Sequence, residues 1–259
     1  MKQVANLKKY REVVVKKNTG ETTYVPGFYG KKRPSVATSI DDYYHEWEKR
    51  QLELKKEKPK LEIPPTICFS RKIGVGALEV ADILAKKINY RVFDREILDK
   101  IAGNAKVSKK TVTFFDEHYP GNLSELGSMF FGEKSFIKSD YARYLFNTVF
   151  SIACIEPSIF VGRGTHLILP RDRVLAVRFV GDRAHRIKRL ARILKITEQE
   201  ADSKLNSIDK EQRSFFKKVY GKKEASPYEF DMVINFEYMN EPQWAADIVE
   251  KAFEVKFGN

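Results

Sequence analysis

The sequence predicts an α/β fold, a doubly wound, mostly parallel sheet of five strands with helices on both faces. Three observations predict it. Short runs at 67–69, 90–94, 159–161, 174–180 and 231–236 are rich in Ile, Val and Phe and lack strict polar alternation, as strands buried on both faces do. Between them lie helical patterns in which apolar residues return every three or four positions. Four of the runs end on charged or glycine residues: Ser70-Arg71-Lys72, Asp94-Arg95, Gly162-Arg163-Gly164 and Gly181-Asp182. Strands alternating with helices call for a parallel sheet, and ligands of such sheets sit beyond the carboxyl ends of the strands.

Composition narrows the classes. The chain has 259 residues, of which 42% are hydrophobic, enough to bury a real core. No stretch of apolar residues is long enough for a membrane span, and the basic N-terminus lacks the apolar centre of a signal peptide, so a cytoplasmic protein is expected. Cys68 and Cys154 fall in apolar runs and read as buried free thiols. His45, His118, His166 and His185 are scattered and form no metal-ligand spacing, so no structural metal site is expected. The net charge of +12 asks for an anionic partner, either a nucleotide-like substrate or nucleic acid. Residues 1–62 hold 15 Lys and Arg against 9 Asp and Glu, about half of the excess.

In chain order, residues 1–38 read as a loop or arm, because glycine, proline and threonine break any period. Ser39 and Asp42 resemble a capping box, and Ile40, Tyr43, Tyr44 and Trp47 then share one helical face as far as Leu54. Pro59, Pro64 and Pro65 end that helix. Its aromatic stripe fits docking on the protein's own body, or a contact with a second copy or a partner. The first strand runs into a glycine loop and a helix from Ala77, on which Leu78, Ala81, Leu84 and Ile88 recur near one face. After 90–94 a helix closes at Gly103-Asn104. Residues 105–157 form a helical insertion between the second and third strands, ending in the run 139–156. Beyond the third strand, residues 165–169 begin another element. The helix after the fourth strand carries Arg183, Arg186, Arg189 and Arg192 every three residues, and for the last two a solvated face is the simpler reading. A basic helical stretch ends at Gly221, and an amphipathic helix closes the chain.

The stretch 66–89 is the centre of this plan. Strand, glycine loop and helix in that order make a phosphate-binding shape, because backbone N–H groups and the helix N-terminus both favour an anion. Ser70 to Ala77 form the loop, with Gly74 and Gly76 supplying its backbone freedom. The spelling departs from G-x-x-x-x-G-K-[ST]. Alignment at the helix start puts Ala77 in the last glycine's place, Leu78 in the lysine's and Glu79 in the hydroxyl's.

Taken together these residues resemble the cytidylate kinase-like family of nucleoside monophosphate kinases, over about 65–254. The pieces are Phe69-Ser70-Arg71-Lys72-Ile73-Gly74-Val75-Gly76, Phe93 to Ile97, Val161 to Gly164, the pair Asp209 and Arg213, and Phe230 to Asn235. The resemblance implies a P-loop kinase-like sheet on residues 63–259, with 105–157 as a helical substrate-binding insertion and 195–228 as a helical lid. It implies ATP and Mg²⁺ as cofactors, and phosphates cradled by Ser70, Arg71, Lys72, Ile73, Gly74, Val75, Gly76 and Ala77. The acceptor, CMP or dCMP, would meet Asp94, Arg95, Arg163, Gly164 and Asp209. Arg213, with Arg183 or Arg186, would neutralise the transferring phosphoryl group.

The sequence also departs from that family at Leu78, at Glu79 and at Gly164, which stands where true cytidylate kinases carry an acid. Three readings stay open at this point. One is phosphorylation of a nucleoside monophosphate, and a second is a degenerate kinase fold that binds nucleotide or another phosphorylated ligand for regulation, without turnover. The third is nucleic-acid binding, against which the arginines fall at strand ends and on cleft helices more than in one aromatic-interleaved stripe.

Overall fold

The computed structural model describes residues 63–103 and 140–258, together with Lys49. The N-terminal arm, the 39–54 capping and aromatic segment, and residues 105–139 of the insertion lie outside the described residues.

Each strand is a short apolar run sealed from water. β1 (Thr66–Arg71) pairs with β3 (Ser158–Val161) on one side and with β4 (Val174–Val180) on the other. β2 (Arg91–Asp94) lies outside β3, and β5 (Met232–Asn235) outside β4. The order is therefore β2-β3-β1-β4-β5, and all four pairings are parallel, where the sequence led us to expect only a mostly parallel sheet. Residues 165–169, read as the start of a further element, make a single 3-10 turn at Thr165–Leu167.

Helices cover both faces, as a parallel sheet requires. α1 (Ala77–Ile88) follows β1, and α6 (Pro242–Phe257) packs beside it over the face carrying Ile67, Phe69, Val177 and Phe179. The opposite face carries Cys68, Phe93, Phe160 and Ala176. It is covered by α2 (Arg95–Gly103), α3 (Asp140–Ile155) and the last turns of α5 (Glu198–Tyr220). α4 (Arg183–Leu194) and the first half of α5 pack on each other and on Ile73 in a smaller third cluster with Leu190, Ala201 and Leu205. Among the described residues no helix is long and apolar enough to cross a membrane.

Local chemistry fixes the helix ends. Asp182 caps α4 by accepting from the His185 amide at 2.6 Å. Thr197 and Glu200 form a reciprocal capping box that starts α5, and Gly221 ends it in the left-handed conformation. Both cysteines are buried and free, and burial pushes the Cys68 thiol up to about 12.

The strand order decides where a ligand can sit. From β1 the chain crosses towards β2, whereas from β4 it turns the other way, towards β5. The two connections diverge from neighbouring strands, which opens a crevice above the carboxyl ends of β1 and β4. The glycine loop and α4 both start there.

A part-buried polar knot fastens the segment between α5 and β5. His166, 5% exposed, has Nε2 3.2 Å from Glu229 Oε2, and Lys222 donates to the other oxygen at 2.8 Å. Burial alone would raise the Glu229 carboxyl, but His166 and Lys222 hold it down at about 2. Burial holds the His166 imidazole below its ordinary value. Both groups therefore bind fewer protons folded than unfolded, so their contribution is present near neutrality and is lost on acidification. For Glu229 that loss falls between the ordinary glutamate value of 4.5 and about 2. Glu229→Gln is expected to lower stability at pH 7 by about 1–3 kcal/mol and to flatten the acid limb in that window. Denaturant midpoints measured across pH 2–7 check this, and an unchanged acid limb would contradict it.

Candidate active site

The glycine loop takes its shape from two residues that only glycine suits. Gly74 has φ +89° and Gly76 φ +104°, and neighbours press on both. A Cβ on Gly74 would stand 3.1 Å from the Arg186 carbonyl oxygen. One on Gly76 would meet Phe236 at 3.1 Å and the Arg189 guanidinium at 3.3 Å. Gly76 is also the N-cap of α1 and offers no side-chain cap. Because the loop's last glycine is Gly76, the lysine slot of a phosphate loop falls on Ala77 and the hydroxyl slot on Leu78. That is one residue earlier than the alignment at the helix start placed them. Ala77 is buried, and Leu78 packs on the apolar core.

α4 lies directly on this loop. Arg186, 3% exposed, donates from Nε to the Ile73 carbonyl at 2.7 Å and from both Nη atoms to Asp209 at 2.6 and 3.0 Å. Ile73, Gly74, Val75, Gly76 and Ala77 are all buried beneath it. Arg183 instead ties α4 to α5, through Asp202 Oδ1 at 2.5 Å and Asn206 at 2.8 Å. Arg189 is no solvated residue. Its side chain is 10% exposed and Nη2 stands 2.6 Å from Glu79 Oε1. Arg192 is exposed, as expected.

On the other side of the loop a small recess of about 40 Å³ opens between β1, β4 and α5. Ser70, Arg71, Lys72, Arg178, Asp209 and Arg213 line it. The buried Ser70 hydroxyl accepts from Arg178 at 2.9 Å, and Gln212 donates to the Arg71 carbonyl at 2.9 Å. Lys72 is 3.8 Å from Glu224. Arg213 is exposed and has no ion-pair partner among the described residues.

The acceptor-side candidates gather at the ends of β2 and β3. Asp94 caps α2, accepting from the Ile97 amide at 3.0 Å. Arg163 is held in the left-handed region at φ +55°, between Gly162 at +96° and Gly164 at +69°. A strained non-glycine backbone of this kind persists only where its surroundings over-determine it. They do so here. Tyr220 donates to the Arg163 carbonyl at 2.5 Å, Nε donates to Asp99 at 2.6 Å, and the guanidinium lies 4.1 Å from the centroid of Phe215. Gly164 is required for space as well, since a Cβ there would stand 2.6 Å from the Tyr220 ring. Tyr141 donates to the same Asp99 oxygen at 2.6 Å, and burial pushes its phenol well above the ordinary tyrosine value. Arg95 reaches Asp99 at 3.7 Å and pairs with Glu211. Arg71 joins this group, with its guanidinium within 4.0 Å of where a Gly162 Cβ would be.

Asp99, Tyr141 and Phe215 were not anticipated. Asp99 had a signal, since it stands four residues after Arg95 on one face of a helix. Tyr141 and Phe215 come from distant segments and had none.

Beside the loop, on the α1 and α6 side, lies a cleft of about 840 Å³. Glu79, Ile83, His185, Arg189, Phe236 and Pro242 contribute to its walls. It lies at the β1, β4 and β5 end of the sheet edge, whereas Arg95 and Arg163 lie at the β2 and β3 end.

With this arrangement in view, the family model for the cytidylate kinase-like family matches residues 66–238. The chain belongs to the cytidylate kinase-like family. No curated protein matches the sequence. Among solved structures, an uncharacterized protein from Eubacterium ventriosum ATCC 27560 is similar at 21% identity and TM-score 0.58, over 75% of this chain and 99% of that one. A shikimate kinase from Bacteroides thetaiotaomicron is similar at 12% identity and TM-score 0.37, over 73% of this chain and 96% of that one. A dephospho-CoA kinase from Campylobacter jejuni is similar at 13% identity and TM-score 0.33, over 76% and 100%.

For this kinase-like fold the buried Arg186–Asp209 pair sets a stability test. Removing one partner of a buried ion pair strands the other, at a cost of about 3–5 kcal/mol. Arg186→Met is expected to lose that much, and Arg186→Met with Asp209→Leu to regain most of it. Equilibrium unfolding of the four proteins decides. A single variant as stable as wild type would mean that Arg186 does not hold α4 to the loop.

Proposed function

We propose that this member of the cytidylate kinase-like family transfers the terminal phosphoryl group of ATP to a nucleoside monophosphate, CMP or dCMP. One observation carries the reading: the strand order sets a nucleoside-sized cleft and an arginine cluster on opposite sides of a glycine loop at the β1/β4 crevice. Family membership supports the reaction class.

The donor's base and ribose occupy the 840 Å³ cleft, against Ile83, Phe236 and Pro242. Its phosphates run along the loop, where Gly74 and Gly76 keep the backbone free of side chains. Arg163 and Arg95 take the acceptor's phosphate, which displaces the carboxylates of Asp99 and Glu211 that they now hold. An oxygen of the acceptor phosphate attacks the terminal phosphorus of ATP. The bond from that phosphorus to the β-bridging oxygen breaks, leaving ADP and a nucleoside diphosphate. An acceptor phosphate that is already deprotonated needs no general base, so what the protein supplies is position and positive charge. Arg213, exposed at the mouth of the recess, supplies charge to the transferring group. For the donor to reach the loop, α4 must lift off the Ile73 carbonyl.

The 840 Å³ cleft has room for the base and ribose of ATP, while the loop Ile73–Ala77 is buried beneath α4 in this arrangement. The donor set for magnesium fits less well: the hydroxyl slot holds Leu78, Glu79 is paired with Arg189, and no trio of His, Cys, Asp or Glu gathers for a metal among the described residues. We derive no step through the metal.

A second reading, nucleotide binding without turnover, is favoured by one observation, Ala77 and Leu78 in the lysine and hydroxyl slots. Purified protein incubated with Mg-ATP and CMP, dCMP, UMP or AMP separates the two. Diphosphate formation with CMP or dCMP is expected. ATP binding by calorimetry without any diphosphate would select the second reading. If turnover is seen, Arg213→Ala is expected to lower kcat by roughly a hundredfold or more. Arg163→Ala should raise KM for CMP by roughly ten- to a hundredfold while leaving ATP affinity unchanged, and equal loss of both would misplace the acceptor.

A further inference from the structure

The lysine slot of the loop holds Ala77, and Arg71 and Lys72 lie at the loop's other end, yet a guanidinium stands directly over Gly76. We propose that Arg189 is the phosphate-binding charge of the glycine loop, supplied from α4 in place of the lysine that Ala77 replaces, and that Glu79 holds it while no ligand is bound. The inference deepens the reading of the large cleft as the donor site and rests on it.

Four observations place Arg189 in this role. A Cβ built on Gly76, the last residue of the loop, would lie 3.3 Å from both Nε and Cζ of Arg189, so the guanidinium sits against the loop where it meets the α1 N-terminus. That N-terminus heads a 12-residue helix, and its N-cap Gly76 has no side-chain cap, so its partial positive charge is available to an anion. The Arg189 side chain is nine-tenths buried, and neither Nε nor Nη2 makes a hydrogen bond among the described residues, Nη2 meeting Glu79 as an ion pair only. A buried arginine donor without an acceptor is costly, and an incoming phosphate oxygen would satisfy it. Lastly, Arg189 and Glu79 both line the 840 Å³ cleft, together with His185, whose Nε2 is likewise buried without a partner.

The other arginines of α4 are placed differently. Arg186 is taken up by Ile73 and Asp209 and Arg183 by Asp202 and Asn206, whereas Arg192 also lines the cleft but is exposed and does not touch the loop glycine. A lysine on the loop itself would follow the phosphates from below. An arginine on α4 reaches the same point from the helix packed over the loop. Glu79 Oε1, 2.6 Å from Nη2, occupies the place of a phosphate oxygen in the unliganded chain.

The bland alternative is that Arg189 only neutralises Glu79 and closes α4 onto α1. A double-mutant cycle distinguishes the two. Affinities of the full chain for ATP, inorganic tripolyphosphate and adenosine are measured by calorimetry. Arg189→Gln is expected to weaken ATP and tripolyphosphate by roughly ten- to a hundredfold and to leave adenosine unchanged. Glu79→Gln is expected to tighten both phosphates, and Arg189→Lys to restore part of the loss. The variant with both Glu79→Gln and Arg189→Gln should remain as weak as Arg189→Gln. Recovery of wild-type affinity in that double variant overturns the proposal, as does an Arg189→Gln that weakens adenosine as much as ATP. If Arg189→Gln fails to fold, Glu79→Gln still decides: unchanged or weaker tripolyphosphate binding overturns it. Wild-type protein that binds neither ATP nor tripolyphosphate also overturns it. Intact tripolyphosphate binding without diphosphate formation overturns only the transfer reading.

Discussion

One guanidinium ties three elements of this fold together. Arg186 reaches from α4 to a carbonyl of the glycine loop and to a carboxylate on α5, and all three elements are buried at that point. The loop's burial, the angle of α4 and the register of α5 all depend on it. A buried pair of this kind adds little net stability over apolar residues of the same shape, but it accepts few alternatives once formed. It fixes one arrangement of loop and lid rather than merely strengthening the fold.

The same logic extends along the cleft. A chain with an excess of 12 positive charges would be expected to present them to solvent or to a ligand. Around the crevice most are answered from within: Arg186 by Asp209, Arg189 by Glu79, Arg163 by Asp99, Arg95 by Glu211. Each carboxylate occupies a position that an anionic ligand could take over. These four guanidiniums are answered within the fold, whereas Arg213 stays exposed at the recess.

The two halves of the sheet edge are built by different means. At β3 the backbone itself is strained. Three successive residues with positive φ aim Arg163, and the ring of Tyr220 closes over Gly164 so that no side chain fits there. At β1 the loop carries little strain beyond its glycines and relies on α4 for coverage. The surroundings of Arg163 are thus set in the core, where Phe215 packs against both Tyr141 and Tyr220, and those of the glycine loop by the packing of α4.

The strands, their order in the chain, the helix ends and the glycine loop could all be read from the sequence, because they depend on local terms. Apolar runs without alternation mark strands buried on two faces, and Gly221 ends its helix wherever that helix packs, whereas Asp182 and Thr197 were not anticipated as caps. The family was legible too, from motifs a few residues long. Partnership was not legible. Arg186 looked like a catalytic charge and Arg189 like a solvated one, since a period of three residues says nothing about what lies across a groove. Asp209 is 23 residues from Arg186, and Glu79 is 110 from Arg189. Tertiary packing alone brought each carboxylate to its guanidinium. It also moved the lysine slot from Leu78 to Ala77, because the left-handed turn of Gly76, and no spelling rule, decides where the loop stops and the helix begins.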